Sequence, residues 1–270
     1  MRFGSKTVIT LFLSLILTFT NGSAQSIVSE LNTYFKTLES YSSNTEKAQA
    51  SDSISLLLKT YLENNDSLIS NSLVANLGNA RSSDKKLTIY SWNYQLENLA
   101  FKYGCVIQLK DKNNTFVSVL EDTRDDMPLT KSLRKDEWYG CLYYAIITKT
   151  KRKKTYYTLL GWDGNNNIIA RKVIDVLTFS SKGEPKFGES LFKLDAKTQK
   201  RVVFQFSASG SMMLTYDERY KRILFDHLSP ALPEYEGKYQ FYGSDFSYDG
   251  FKFQRNKWVF QEMLDPRNKD

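Results

Sequence analysis

A five-residue stretch in the middle of the chain, DGNNN at 163–167, has the residue types of a calcium loop. Its aspartate and two of its asparagines would take ligand positions 1, 3 and 5 of an EF-hand-type loop. That loop also needs glycine at position 6 and glutamate at position 12, where this chain has Ile168 and Ile174. Asp-Gly and Asn also favour the backbone of a tight hairpin. The stretch therefore predicts a hairpin turn and no metal site.

Histidine chemistry would depend on a single residue, His227 in FDHLSP. One histidine excludes a His-rich zinc site. The neighbouring Asp226 would point to the opposite face of a strand and could not orient the imidazole. The serines of FSASGSMML do not form the G-x-S-x-G elbow of a serine hydrolase. We therefore expect a structural or hydrogen-bonded histidine at a strand end.

Carboxylates are numerous but scattered along the chain. A glycosidase needs two of them about 5 to 10 Å apart across a cleft. The spacing of the acidic residues selects no pair among Asp175, Asp217, Asp226, Asp245 and Asp249. Neither a P-loop nor a G-x-G-x-x-G motif occurs, and the sequence indicates no cofactor.

Cys105 and Cys141 are the two cysteines of the chain, and each follows Tyr-Gly in a predicted strand. An even number of cysteines in an exported protein permits a disulfide. The alternative is a pair of small, buried free thiols. Both alternatives stay open, because a bridge depends on a Cα separation below about 7 Å.

The densest basic cluster is TKTKRKKT at 148–155, between two strand patterns. A solvated hairpin tip is the default interpretation of such a charge run. The functional alternative is contact with an anion, such as cell-envelope phosphate or an acidic glycan. The candidate contact residues are Lys149, Lys151, Arg152, Lys153 and Lys154.

The elements that would position these residues change in character along the chain. Residues 25–84 show apolar residues at spacings of three and four, which predicts three amphipathic helices. The apolar stripes are Ile27–Leu38, Ile54–Leu62 and Leu68–Leu77, and Ser51 or Asp52 is a candidate N-cap of the second helix.

From residue 85 to 265 the period changes to two, with strand patterns rich in aromatic and β-branched residues. KDKNN, GWDGNNN, YDERY and SYDGF are the predicted turns, and GFKFQRNKWVFQE is among the predicted strands. Tight turns without helical crossovers indicate antiparallel neighbours. The predicted fold is α+β: a short helical segment, then a large antiparallel β-meander domain. That domain would be sandwich- or barrel-like, with a propeller-like arrangement as the alternative.

The first residues have the layout of a secretory signal peptide. Arg2 and Lys6 precede an apolar run, and Gly22-Ser23-Ala24 provides small residues for cleavage after Ala24. Removal of residues 1–24 would lower the net charge from +7 to +5. We therefore predict a mature chain in the periplasm or outside the cell, with no transmembrane segment and a short tail at 266–270. Export argues against nucleic acid as a partner.

Several stretches resemble a family of uncharacterised exported proteins from Bacteroidetes-type bacteria. The similar stretches are IYSWNY, YYTLLGWDGNN, KVIDVLTF, ILFDHLSP and FYGSDFSYDGFKFQRNKWVF. They cover roughly residues 85–265. The resemblance implies export and a β domain, and it carries over no activity and no catalytic residue.

Two classes of function remain. The missing nucleophile and metal motifs favour a non-catalytic binding or structural protein of the cell envelope, with a glycan, a peptide or an envelope protein as its partner. The alternative is a hydrolase that acts on envelope or extracellular polymers through paired carboxylates.

Overall fold

The computed structural model describes residues 26–40, 43–65, 74–112, 114–123, 126–151, 154–194, 197–265 and 267. The predicted signal peptide lies outside the described residues, and so do Arg152, Lys153 and most of the predicted tail. The chain divides into two units, Met1–Asn76 and Leu77–Asp270. Strand β1 (Gly78–Arg81) therefore belongs to the second unit, although the sequence suggested a helical segment as far as residue 84.

Two helices form the described part of the first unit, α1 at residues 26–39 and α2 at Asn44–Asn64. The predicted apolar stripes are buried on both helices, at Leu31 and Phe35 and again at Ile54 and Leu58. Among the described residues, no helix is long and apolar enough to cross a membrane.

Helix α2 begins earlier than predicted. Ser43 is its N-cap, and Ser43 and Glu46 form a capping box in which each side chain binds the other residue's backbone N–H. This box provides acceptors for backbone N–H groups at the start of the helix. Ser51 and Asp52 lie inside the helix, so the predicted N-cap at these residues is wrong.

The third predicted helix has no counterpart in the described residues. Most of its stripe, at 66–73, lies outside them, and residues 74–77 are not helical. Asn76 has a φ of 62°, a left-handed conformation that ends regular structure. Ala75 N donates to Asn32 Oδ1 at 3.3 Å, which ties this end of the unit to α1.

The second unit contains three sheets. With the two helices of the first unit, they bear out the predicted α+β class. Sheet one contains β1, β2 (Leu87–Gln95), β3 (Phe101–Asp111) and β4 (Asn114–Leu120), in that order. Sheet two contains β5 (Leu133–Arg134), β6 (Leu142–Lys151), β7 (Lys154–Asp163), β8 (Ile169–Phe179), β9 (Pro185–Phe187) and β12 (Arg201–Ser207). Sheet three contains β10 (Phe192–Leu194), β11 (Lys197–Gln199), β13 (Leu214–Asp217), β14 (Arg222–Pro230), β15 (Tyr242–Gln254) and β16 (Lys257–Gln261).

Pairing within the three sheets is antiparallel with one exception, in which β10 runs parallel to β16. The described strands follow open orders that do not close, so the arrangement is sandwich-like and not barrel-like. Short 3-10 helices lie between consecutive strands, at Lys135–Glu137, Pro233–Tyr235 and Tyr239–Phe241.

Sheet two contributes buried side chains to two hydrophobic clusters. Leu159 and Val173 pack in a cluster with side chains of sheet one. Leu160 and Ile174 pack in a second cluster with side chains of sheet three. Because neighbouring residues of a strand point to opposite faces, β7 and β8 are buried on both sides. This double burial explains why LLGW and VIDVL are nearly continuous apolar runs.

The C-terminal hairpin differs from the prediction in the position of its turn. SYDGF is not a turn, because β15 continues through it to Gln254. The chain turns instead at Arg255 and Asn256, whose φ angles of 48° and 65° are those of a type I′ hairpin. GFKFQRNKWVFQE is therefore two paired strands, with Phe253 opposite Trp258.

Candidate functional site

Asp163, the acidic residue of the DGNNN stretch, organises the turn between β7 and β8. It is 3% exposed, and its Oδ1 accepts hydrogen bonds from Tyr103 Oη at 2.9 Å and Asn165 N at 2.7 Å. Its Oδ2 accepts from Arg171 Nη1 at 3.1 Å. Burial raises the pKa of Asp163, and these hydrogen bonds together with the Arg171 charge oppose the rise.

The predicted hairpin is confirmed, since Asp163 pairs with Arg171 across β7 and β8. Asn165 has a φ of 51°, the left-handed conformation that asparagine tolerates in turns. Both oxygens of Asp163 are occupied by donors of the protein itself. Within the described residues, no group of three or more His, Cys, Asp or Glu is placed to hold a metal ion.

The turn between β2 and β3 packs directly against the β7–β8 turn. Phe101 N donates to Asn165 O at 3.2 Å, and Gly164 N donates to Tyr103 Oη at 2.7 Å. A Cβ at Gly164 would lie 2.6 Å from the Phe101 ring, so this contact requires glycine. Two turns that are far apart in sequence are thus held as one surface.

A cleft of about 480 Å³ opens where these turns meet. Its walls combine the two turns with one residue that follows β4 and one that precedes β6. The lining residues are Leu96, Asn98, Ala100, Phe101, Lys102, Tyr103, Asp122, Tyr139, Asp163, Asn165, Asn166 and Arg171.

The charged residues of this cleft form two ion pairs. Lys102 Nζ lies 3.8 Å from Asp122 Oδ1, and Arg171 Nη1 lies 3.1 Å from Asp163 Oδ2. Asp122 Oδ2 also accepts a hydrogen bond from Tyr103 N at 3.0 Å. Backbone N–H and side-chain O–H of Tyr103 therefore bind different carboxylates. The charges of the lining cancel, which favours a neutral ligand.

Two asparagines of the cleft bind the backbone of their own turn through the side-chain oxygen. Asn98 Oδ1 accepts from Ala100 N at 3.1 Å, and Asn166 Oδ1 accepts from the N–H groups of Ile168 and Ile169 at 2.8 and 2.9 Å. Among the described residues, neither Nδ2 group has a hydrogen-bond acceptor. The turns thus orient two amide donors that remain available to a ligand.

His227 makes the hydrogen bond expected of a structural histidine, with a partner that the sequence did not reveal. Its Nδ1 lies 2.7 Å from Asp249 Oδ2 on β15, and the pairing of β14 with β15 is irregular at this point. The hydrogen bond to Asp249 is the largest cause of the raised pKa of His227. In the part of the chain that the structure covers, no Ser or Thr hydroxyl binds the ring, so a triad is not assembled.

Cys105 and Cys141 are both buried and have free thiols in this structure. Burial raises the pKa of both thiols well above the usual value. Cys141 Sγ lies 3.5 Å from Trp162 O, and a Cβ at Gly161 would lie 2.3 Å from that sulfur. This arrangement corresponds to the second alternative, that of small buried hydrophobic residues.

The basic cluster lies at the tip of the β6–β7 hairpin, where Lys151 pairs with Lys154. Lys154 Nζ lies 3.0 Å from Glu189 Oε1. Lys149 lies lower on the hairpin, with Nζ 5.4 to 5.8 Å from the ring centroids of three residues. Those rings belong to Tyr216, Phe253 and Trp258. Desolvation lowers the pKa of Lys149, and the anion contact of the cluster stays a prediction.

None of the five acids that the sequence suggested for catalysis lines the cleft. Asp175 is fully buried against Arg201, and Asp226 accepts a hydrogen bond from Met213 N at 2.8 Å. The acids of the cleft are Asp163, which was considered only as a calcium ligand, and Asp122, which was missed. The available signal for Asp122 was its position directly after the apolar strand TFVSVLE.

No protein-family model matches the chain, and no curated protein matches it. Among solved structures, the chain is similar to a GH32 beta-fructofuranosidase of Bombyx mori, with 8% identity and a TM-score of 0.25. The match covers 69% of this chain and 35% of that protein, so the chain spans about a third of its length. A likeness this weak supports no inference about the site or its ligand.

Proposed function

We propose that this is an exported, non-catalytic binding protein whose ligand is a neutral glycan held in the cleft between the β2–β3 and β7–β8 turns. The observation that carries the proposal is the charge-balanced lining with oriented amide donors at Asn98 and Asn166. The signal-peptide pattern of residues 1–24 and the resemblance to exported proteins support the location.

Glycan hydroxyls are uncharged and act as both donors and acceptors. A cleft with unpaired cations would select anions, but Lys102 and Arg171 are each bound to a carboxylate. Amide groups fixed by turns lose little conformational entropy when they bind, which makes them effective contacts. The half-buried ring of Phe101 adds an apolar surface to this polar lining.

A second candidate function is hydrolysis of the bound glycan, and one observation favours it. The cleft is lined by two carboxylates, Asp122 and Asp163, and burial raises the pKa of Asp163 as a general acid requires. Against it, both oxygens of Asp163 are engaged with protein donors, and the Tyr103 residue lies between the two carboxylates. We therefore favour binding.

The test is calorimetric titration of the purified protein with neutral oligosaccharides of glucose, mannose, galactose and xylose. Asn98→Asp and Asn166→Asp keep the oxygen that holds each turn and remove the free amide donor. Loss of one hydrogen bond, about 1 kcal/mol, should weaken binding about fivefold in each variant. Asn167→Asp is the matched control for Asn166→Asp, because it adds the same charge to the β7–β8 turn outside the cleft lining.

Two results would contradict the proposal. One is the absence of binding to every neutral oligosaccharide, and the other is equal affinity of all three Asp variants. Incubation of the same oligosaccharides with the protein checks hydrolysis. Turnover that disappears in an Asp163→Asn variant whose circular dichroism and melting temperature match those of the unmodified protein would replace the binding function by the catalytic one.

A further inference from the structure

A second recess lies close to the cleft and contains no charged residue in its lining. It has a volume of about 370 Å³ and lies between the end of β12 and the segment that leads into β15. Four serines line it, together with Phe241 and Tyr242. The serines are Ser207, Ser209, Ser229 and Ser244. We call this recess the serine groove.

The backbone of the β7–β8 turn connects the cleft to the serine groove through its pairing with the end of β12. Asn166 of the cleft binds the N–H groups of Ile168 and Ile169. Ile169 is paired with Ser207 of the groove, and Ile168 O accepts a hydrogen bond from Ala208 N at 3.0 Å. Neighbouring strands are about 4.8 Å apart, so the groove begins one strand away from the cleft. Ile168 itself is 56% exposed at this junction.

Aromatic rings of the groove are fixed in position by stacking. The Phe241 ring is 41% exposed and stacks on Tyr235, with centroids 4.2 Å apart and planes inclined by 25°. Tyr239 packs against Tyr242 at a centroid distance of 5.2 Å. Rigid, partly exposed rings bind the apolar face of a ligand at a low cost in conformational entropy.

We propose that the cleft and the serine groove are consecutive subsites for one linear, neutral oligosaccharide that passes over Ile168. This inference rests on the proposed function, and it adds that the ligand is a polymer segment instead of a single sugar. The groove has no charged residue in its lining and the charges of the cleft cancel, so both subsites suit a neutral ligand. The Phe241 ring provides a stacking surface. A short saccharide fills the cleft alone, whereas a longer one also gains the contacts of the groove.

Gly243 offers a way to block the groove without disturbing the chain. It lines the groove, and a Cβ at this position would meet no atom within 4 Å. The variant Gly243→Trp therefore places a ring in the open space of the groove. Glu218→Trp is the control, because it adds the same ring at an exposed turn outside the groove.

The experiment compares the Kd of a disaccharide with that of a hexasaccharide of the same sugar, by calorimetry. In the unmodified protein and in Glu218→Trp, the hexasaccharide should bind about tenfold tighter or more. In Gly243→Trp, hexasaccharide affinity should fall to that of the disaccharide, and disaccharide affinity should stay unchanged. If Gly243→Trp unfolds at a lower temperature than the control, Phe241→Ala replaces it with the same expectation.

Equal affinity for the two lengths in the unmodified protein would overturn this inference and leave the proposed function intact. A length effect that persists in both groove variants would also overturn it. Tighter binding of an uncharged hexapeptide than of any oligosaccharide would assign the groove to a peptide. Absence of binding to saccharides of both lengths would instead contradict the proposed function itself.

Discussion

Replacement of Arg201 by methionine should strongly destabilise the β domain. Arg201 and Asp175 are both 0% exposed, and Arg201 Nε donates to Asp175 Oδ2 at 2.7 Å. The guanidinium also lies 4.7 Å from the centroid of the Tyr139 ring. Removal of Arg201 leaves Asp175 buried without its counter-ion, although Tyr139 Oη and Val176 N still donate to it, and such a loss costs about 3 to 5 kcal/mol. The matched control is Arg134→Met, because Arg134 pairs with Asp136 at 2.9 Å while 72% exposed and should cost about 1 kcal/mol or less.

Denaturation in urea followed by tryptophan fluorescence measures this effect. All four tryptophans lie after residue 77, so the signal reports the β domain and not the helical unit. The double variant Asp175→Asn/Arg201→Met removes both charges and should recover part of the lost stability. A cost for Arg201→Met that equals the cost for Arg134→Met would refute the argument from burial.

The pH dependence of the Arg201→Met variant provides an independent check. Burial is the largest cause of the raised pKa of Asp175, and Arg201 opposes that rise. A carboxyl whose pKa is higher in the folded state than in the unfolded state favours folding when it is protonated. The contribution is lost as the pH rises through the folded-state pKa. Without Arg201, the destabilisation should therefore shrink as the pH falls, and a penalty that grows at low pH would contradict this.

Three further predictions concern single residues. His227 should titrate above its usual pKa in NMR, and Asp249→Asn should lower that pKa, because the Asp249 hydrogen bond is the main cause of the rise. Ser43→Ala should cost about 0.5–2 kcal/mol of helix stability in circular dichroism, whereas Ser53→Ala inside α2 should be neutral or stabilising. Thiol counting without reductant should detect no reactive cysteine in the folded protein and two after denaturation, and fewer than two would indicate a Cys105–Cys141 bridge.

Local patterns in the sequence predicted the regular elements well. The apolar spacing of α1 and α2 and the alternation of the strands depend on the burial of one face, which sequence records directly. The turn at Arg255 and Asn256 was missed because both residues adopt positive φ in a type I′ hairpin without the usual glycine. The N-cap at Ser43 was missed although the spacing of Ser43 and Glu46 is that of a capping box.

The candidate site was much harder to predict, because its residues come from turns that are distant in sequence. Tyr103 and Asp163 are separated by 60 positions, and their hydrogen bond depends on how sheet one packs on sheet two. The apolar periodicity of the sequence does not indicate such a contact between distant residues. The hairpin predicted at the DGNNN stretch is confirmed, but its residues did not indicate that Asp163 binds Tyr103 and Arg171.

The geometry of the cleft separates residues that hold the fold from residues that would hold a ligand. Tyr103, Asp163 and Gly164 join the two turns through buried hydrogen bonds, so changes at these positions should alter stability first. Asn98 and Asn166 use their side-chain oxygen for the turn, and in the proposed binding mode their amide nitrogen contacts the ligand. Their replacement by aspartate keeps the turn and should alter binding alone. A surface built in this way can change its ligand through a few side chains without loss of the β domain that supports it.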